Sequence, residues 1–372
     1  MDSDSSRLTI KPNRSVARPG RLINPNPAMS NPPPPTSDTP PPHAQLIQMG
    51  TAYWVSRLVL LAAELDLADH LAAGPLTAEE LAGKTKTHAP ALYRVLRSLA
   101  SLGLFTEDAA RHFSLTPLGA ALQTGAPGSA RASILTLGGG PVAGAWREMK
   151  YSVQTGLPGF DRANGQPIFG WLAGHPAEAA LFGETMIGFH GAEPAAVASA
   201  YDFAGLSTIV DVGGGTGNLL TTILAKYPQP RGVLFDLPHV GPEAAALIKT
   251  RGLTDRVTVE AGDFFQTVPK GGDAYVMSHV IHDWNEAQCR TILANCRRAM
   301  KPTSRLLLVE MVLPPGNVPH PGKILDMMML VGPGGQERTA DEYRTLLESA
   351  GFRLQRVVPT ESAVSIVEAV LA

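Results

Sequence analysis

A chain of 372 residues, 44% apolar and 17% charged, is long enough for two domains and has ample material for a core. A formal net charge of −2 argues against a dedicated nucleic-acid binder or a polybasic membrane anchor, since both need a basic excess. Two cysteines, Cys289 and Cys296, are too few for a disulfide framework or a thiolate zinc site. They read as buried thiols of one helix in a reducing, cytoplasmic setting.

Residues 1–42 hold eleven prolines and few large apolar side chains. Such a segment cannot bury enough surface to fold and is expected to be a disordered tail, with Met29 as an alternative start. No secretory apolar core follows Asp2 and Asp4. No unbroken run approaches the roughly 20 apolar residues of a membrane span; the densest early one, Leu58 to Ala63, lies between Arg57 and Glu64.

Residues 43–150 read as a helical domain. Thr77 and Glu80 form a capping box, and Leu92, Val95, Leu96 and Leu99 make a helical stripe. Short extended pieces follow at Leu104-Phe105 and from His112 to Leu115. Helix, turn, helix and hairpin is a winged-helix order, but Arg94 and Arg97 are the only cations of its second helix. A dimerisation module is the better reading than a DNA reader.

Residues 151–372 read as linker helices followed by an α/β Rossmann-like domain. From about residue 206, short β-branched runs alternate with helical segments: 208–212, 232–236, 257–260, 274–277, 305–312, 354–358 and 363–367. Alternation of this kind implies an open, mostly parallel sheet.

The first run leads into Asp211-Val212-Gly213-Gly214-Gly215-Thr216-Gly217, a strand–glycine–helix turn on which a ligand approaches the backbone closely. Three strands end in acids: Asp211, Asp236 and Asp263, the last followed by Phe264. Asp236 lies 23 residues beyond Gly213, the reach at which an acid grips ribose hydroxyls. Asp211 would repel a pyrophosphate and suits a nucleoside with a cationic tail, which disfavours NAD and favours S-adenosylmethionine.

After the fourth run comes Ser278-His279-Val280-Ile281-His282-Asp283-Trp284. His282 is placed to face the ligand as a general base, with Glu310 or Glu337 available to orient its ring; His279 is expected to point elsewhere. No acids or histidines show metal-ligand spacing, and Asp326 stands alone among apolar neighbours, so no metal is expected.

With these motifs together, the chain resembles the plant caffeic-acid-type and bacterial hydroxyneurosporene-type small-molecule O-methyltransferases over roughly residues 45–372. The matching motifs are residues 211–217, Phe235-Asp236-Leu237-Pro238, 262–265, 282–284, 308–310 and Gly334-Gly335-Gln336-Glu337-Arg338-Thr339. The resemblance implies an N-terminal dimerisation domain, a homodimer, and metal-independent methyl transfer from S-adenosylmethionine that leaves S-adenosylhomocysteine. It implies His282 as base, flanked by Glu310 and Glu337. It implies cofactor contacts from Asp211, Gly213, Gly215, Asp236, Leu237, Asp263, Phe264 and Ser278, the last standing where plant members have lysine. Acceptor contacts are implied for Trp146, Phe160, Met186, Asp283, Met328 and Met329, and the acceptor is a hydroxylated aromatic or polyketide-like small molecule. The competing readings are N- or C-methylation, a non-methylating variant, and a DNA-binding regulator.

Overall fold

The computed structural model describes residues 40–372, so most of the expected tail, with Met29, lies outside the described residues. The chain divides after Thr51 into two compact units. The first contributes the helix Pro42–Thr51. The second, Ala52–Ala372, opens with the helix Tyr53–Glu64. Pro42–Glu64 forms a helical stretch of 23 residues at mean hydropathy 1.3, long and apolar enough by length and composition to cross a membrane. This corrects the expectation drawn from unbroken runs, because Gln45, Gln48 and Arg57 interrupt the stretch without making it polar on average.

The winged-helix order is present. Thr77 and Glu80 close the capping box of the helix Ala78–Thr85, and the helix Ala89–Ser101 buries Leu92, Leu96 and Leu99. The strands β1 (Phe105–Glu107) and β2 (Phe113–Leu115) then pair antiparallel, with Phe105 opposite Leu115.

The α/β half is built on β3 (Thr208–Val212), β4 (Arg231–Asp236), β5 (Val257–Ala261), β6 (Ala274–Ser278) and β7 (Arg305–Glu310). The short strands β8 (Val312–Leu313) and β9 (Arg338–Thr339) pair with each other. The hairpin of β10 (Phe352–Pro359) and β11 (Ser365–Leu371) completes the main sheet, whose order is β10-β11-β7-β6-β3-β4-β5. β3 to β7 run parallel, while β11 is antiparallel to both neighbours.

The strand runs are apolar on both faces because helices cover both faces. Val210, Val212, Tyr275, Met277, Leu306 and Leu308 pack in one core with Cys289, Ile292, Leu346 and Leu347. Ile209, Val276, Leu307 and Val309 pack in the other with Leu220, Ile223 and Ile248. Each such side chain contributes about 1.5–3 kcal/mol by leaving water.

The strand order reverses beside β3: the chain steps outward through β4 and β5, then returns to lay β6 on the other side. The loops after β3 and β6 therefore part in opposite directions and leave a crevice at the carboxyl edge, the ligand position of open α/β sheets.

Candidate active site

The glycine loop after β3 forms one wall. Gly213, Gly215 and Gly217 take φ of +70°, +55° and +79°. A Cβ on Gly213 would lie 2.9 Å from Val280 and 3.4 Å from the Phe264 ring, while Gly215 faces open space. Asp211 is 1% exposed, and neither carboxylate oxygen has a hydrogen-bond partner. Burial first, and the charge of Asp236 second, push its pKa up to about 7. A buried carboxylate with no partner calls for a cation, so the loop fits a sulfonium nucleoside with an α-ammonium group.

Asp236 is held from below, where Gly215 N donates to Oδ2 at 2.7 Å and Leu237 N to Oδ1 at 2.6 Å. Burial raises its pKa despite these bonds. Gly215, Leu234, Asp236, Leu237 and Val259 line a small cleft beside it. Asp263 accepts from Phe265 N at 2.8 Å and from Gln266 at 3.2 Å, so it also caps its own turn. Ser278 ends β6 opposite Val309.

The opposite wall carries His282, the expected base. His282 lies in a short 3₁₀ turn, Ile281–Asp283, and is 6% exposed. Its Nδ1 is 2.7 Å from Glu337 Oε1 and 3.6 Å from Glu310 Oε2. Glu310 does a different task with Oε1, which accepts from Val280 N at 3.2 Å and Ile281 N at 3.0 Å and so fixes the turn. Nε2 stands 3.6 Å from Asp283 Oδ1. Burial alone would lower the His282 pKa; Glu310, Asp283 and Glu337 overcome that and raise it to about 10. Burial lifts Asp283 to about 6.

Pairing of β8 with β9 brings Glu337 back beside the end of β7. The approach is so close that a Cβ on Gly335 would overlap the His282 carbonyl and lie 2.6 Å from Trp284 N. Only glycine permits that contact, which gives Gly335 a physical role. Glu337 N donates to Asp326 Oδ1 at 2.8 Å, so Asp326 is a support of the base's partner rather than an isolated acid. Arg338, fully buried, donates to the carbonyls of Ile281 at 3.3 Å and Gln336 at 3.1 Å and pairs with Glu286 at 3.1 Å. Cys289 donates to the carbonyls of Ile281 and Trp284 at 3.3 and 3.2 Å. Spacing in the sequence marked Cys289 as a core thiol and gave no sign that it braces the catalytic turn.

The expected acceptor residues scatter. Met328 packs with Phe169 and Trp171 around Phe160, which is 1% exposed and meets Trp171 edge-on. Met329 is buried, Met186 is half-buried, and Trp146 is exposed at the surface. Phe169 and Phe264 both contact Trp284, which carries the aromatic wall up to the base.

Two groups not legible from spacing also form: His190, Glu193 and His279, and His279, His282 and Glu310, each with one ligand-capable atom per residue within 4.8 Å of the others. The sequence reading of no metal-ligand constellation holds along the chain but not in space, because Glu193 and His279 are 86 residues apart.

Comparison with known proteins gives the family. A model of the O-methyltransferase domain matches residues 146–353, and one of the O-methyltransferase dimerisation domain matches residues 47–125. The chain belongs to the S-adenosylmethionine-dependent small-molecule O-methyltransferases. It is 46% identical to a phenazine O-methyltransferase of Lysobacter antibioticus over 87% of this chain and 95% of the relative. It matches the crystal structure of LaPhzM at TM-score 0.85 and 45% identity, covering 89% of this methyltransferase and 100% of that chain. A further match, at TM-score 0.77 and 33% identity over 86% of this chain and 96% of the other, is an O-methyltransferase of neocarzinostatin biosynthesis solved with S-adenosylmethionine and 2-hydroxy-5-methyl naphthoic acid. The cofactor of this methyltransferase is S-adenosylmethionine.

Proposed function

We propose that this methyltransferase acts on a phenolic or enolic hydroxyl of a small aromatic or polyketide-like metabolite, with His282 as general base. The observation that carries this reading is the 2.7 Å contact between Nδ1 and Glu337, which leaves Nε2 for the acceptor proton. Glu337 fixes the tautomer and stabilises the imidazolium, and Glu310 holds the turn beneath it. Bound S-adenosylmethionine supplies an electrophilic methyl group and leaves as S-adenosylhomocysteine. Asp211, Gly213, Gly215, Asp236, Leu237, Asp263, Phe264 and Ser278 hold it, with Asp211 balancing its positive charge. Asp283, Met186, Met328 and Met329 approach the acceptor, and Phe160 backs their wall through Trp171. Holding the acceptor oxygen in line with the methyl supplies much of the rate.

The protein is proposed to work without a metal as a cytoplasmic homodimer joined through residues 47–125, with no nucleic acid or membrane as partner. The test is transfer of labelled methyl from S-adenosylmethionine to hydroxylated phenazines, naphthols and phenols, with the product linkage identified by mass spectrometry and NMR. A methyl ether is the expected product. A methyl found on nitrogen or carbon, or no transfer to any hydroxyl, would overturn the reading.

A further inference from the structure

Beside the base stands a second histidine–carboxylate pair that the mechanism leaves unused. His279 follows β6 with φ of +53°, a left-handed backbone that a non-glycine residue adopts at a cost on the order of 1 kcal/mol. Its Nε2 lies 2.8 Å from Glu193 Oε2, and the two side chains are 5% and 11% exposed. Among the described residues Nδ1 has no hydrogen-bond partner. Glu193 opens the helix Glu193–Ala200, and His190 ends the helix before it. The His190 ring lies flat on that of His279, with centroids 4.2 Å apart and planes at 8°. On its other side, the His279 ring stands 5.1 Å from that of His282. Burial, then the charges of His279 and His282, drive the His190 pKa down to about 3, so this ring stays neutral.

A core histidine needs neither a strained backbone nor a buried carboxylate. Here both are kept one ring away from the base. We propose that His279, oriented by Glu193, accepts a hydrogen bond at Nδ1 from a second hydroxyl of the acceptor, adjacent to the hydroxyl that His282 deprotonates. The site then selects aromatic acceptors in which that hydroxyl has a neighbouring hydroxyl. This rests on the acceptor reading above. Glu193 sets the tautomer of His279 as Glu337 sets that of His282. An acceptor lacking the second hydroxyl leaves Nδ1 without that partner in a largely enclosed site, which is how such sites discriminate. A shared metal ion is the less fitting occupant, because in-plane lone pairs of the nearly parallel His190 and His279 rings do not converge, Glu193 is already bonded to His279, and in the group of His279, His282 and Glu310 the His282 Nδ1 is already bonded to Glu337.

The experiment is steady-state methyl transfer to phenol, catechol and salicylate by the native enzyme and by the Glu193→Gln and His279→Gln variants. Calorimetric titration with S-adenosylhomocysteine checks that each variant is folded, and the conservative Glu193→Gln decides the matter if His279→Gln does not fold. Catechol should exceed phenol in kcat/KM by about tenfold or more, and the variants should remove most of that ratio, mainly through KM. Salicylate, whose carboxylate can only accept, should show no such gain over phenol, and a gain as large as that of catechol would contradict the acceptor role of Nδ1. A ratio near one in the native enzyme, a ratio unchanged in the variants, or activity that needs added divalent cation and stops with chelator would overturn the proposal. No transfer to any of the three, with S-adenosylhomocysteine bound normally, would overturn the acceptor reading and this inference with it.

Discussion

The two walls of the crevice are built in opposite ways. On the β3–β4 side, neither carboxylate oxygen of the buried Asp211 is hydrogen-bonded and Gly215 faces open space. On the β6–β7 side, His282 is bonded to Glu337, its turn is held by Glu310, Arg338 and Cys289, and a glycine lies against its backbone. On the first wall neither oxygen of the Asp211 carboxylate is hydrogen-bonded; on the second, Glu310 and Glu337 each use one oxygen to hold His282 or its turn and leave the other unbonded. The contrast separates binding from catalysis: charge waiting for a partner gives affinity, whereas a ring already locked in place gives rate.

Removing the base should break the contrast most strongly. His282→Ala is expected to cut turnover by about 10²–10⁴ in steady-state methyl transfer. An unchanged rate would remove His282 from the mechanism. Gly335→Ala comes next, since the added methyl meets the His282 carbonyl. It should cost on the order of 1–3 kcal/mol in thermal or denaturant unfolding and lower turnover by pulling Glu337 off Nδ1. Unfolding and turnover at native values would mean that the loop yields freely.

A smaller effect is read in pH. Since carboxylates raise the His282 pKa to about 10, the neutral base becomes more abundant as pH rises, and kcat/KM should climb through the alkaline range. Glu337→Gln removes one anion, destabilises the imidazolium and lowers that pKa, so the plateau should be reached at lower pH. For stability the sign is opposite: a raised histidine pKa contributes fully below its ordinary value of 6.5 and is lost as pH rises through about 10. Unfolding midpoints measured between neutral pH and pH 10 should therefore fall, and should fall less in Glu337→Gln.

How much the sequence reveals follows the same division. The run at 208–212 coincides with β3, and those near 232, 257 and 274 lie within one residue of β4, β5 and β6 at either end, because β3 and β6 are nearly pure buried apolar text, whereas β5, an exposed edge strand, is marked by its β-branched residues. The run at 305–312 breaks after Glu310, where the chain turns to let Glu310 reach the backbone of Val280 and Ile281. Residues tied to a local motif, such as Asp211 and His282, are legible. Asp326, Glu193 and the supporting thiol of Cys289 are not, because their partners, 11, 86 and 8 residues away, lie outside the helix that carries each of them, across a break in regular structure. Only the folded sheet edge gives those distances meaning.

The most direct test of the two-wall account is calorimetric titration of the native enzyme, His282→Ala and Asp211→Asn with S-adenosylhomocysteine. The account predicts that His282→Ala keeps the native dissociation constant within a few-fold, while Asp211→Asn weakens binding by about tenfold or more through loss of the buried negative charge. Equal loss in both variants, or native affinity in Asp211→Asn, would contradict it.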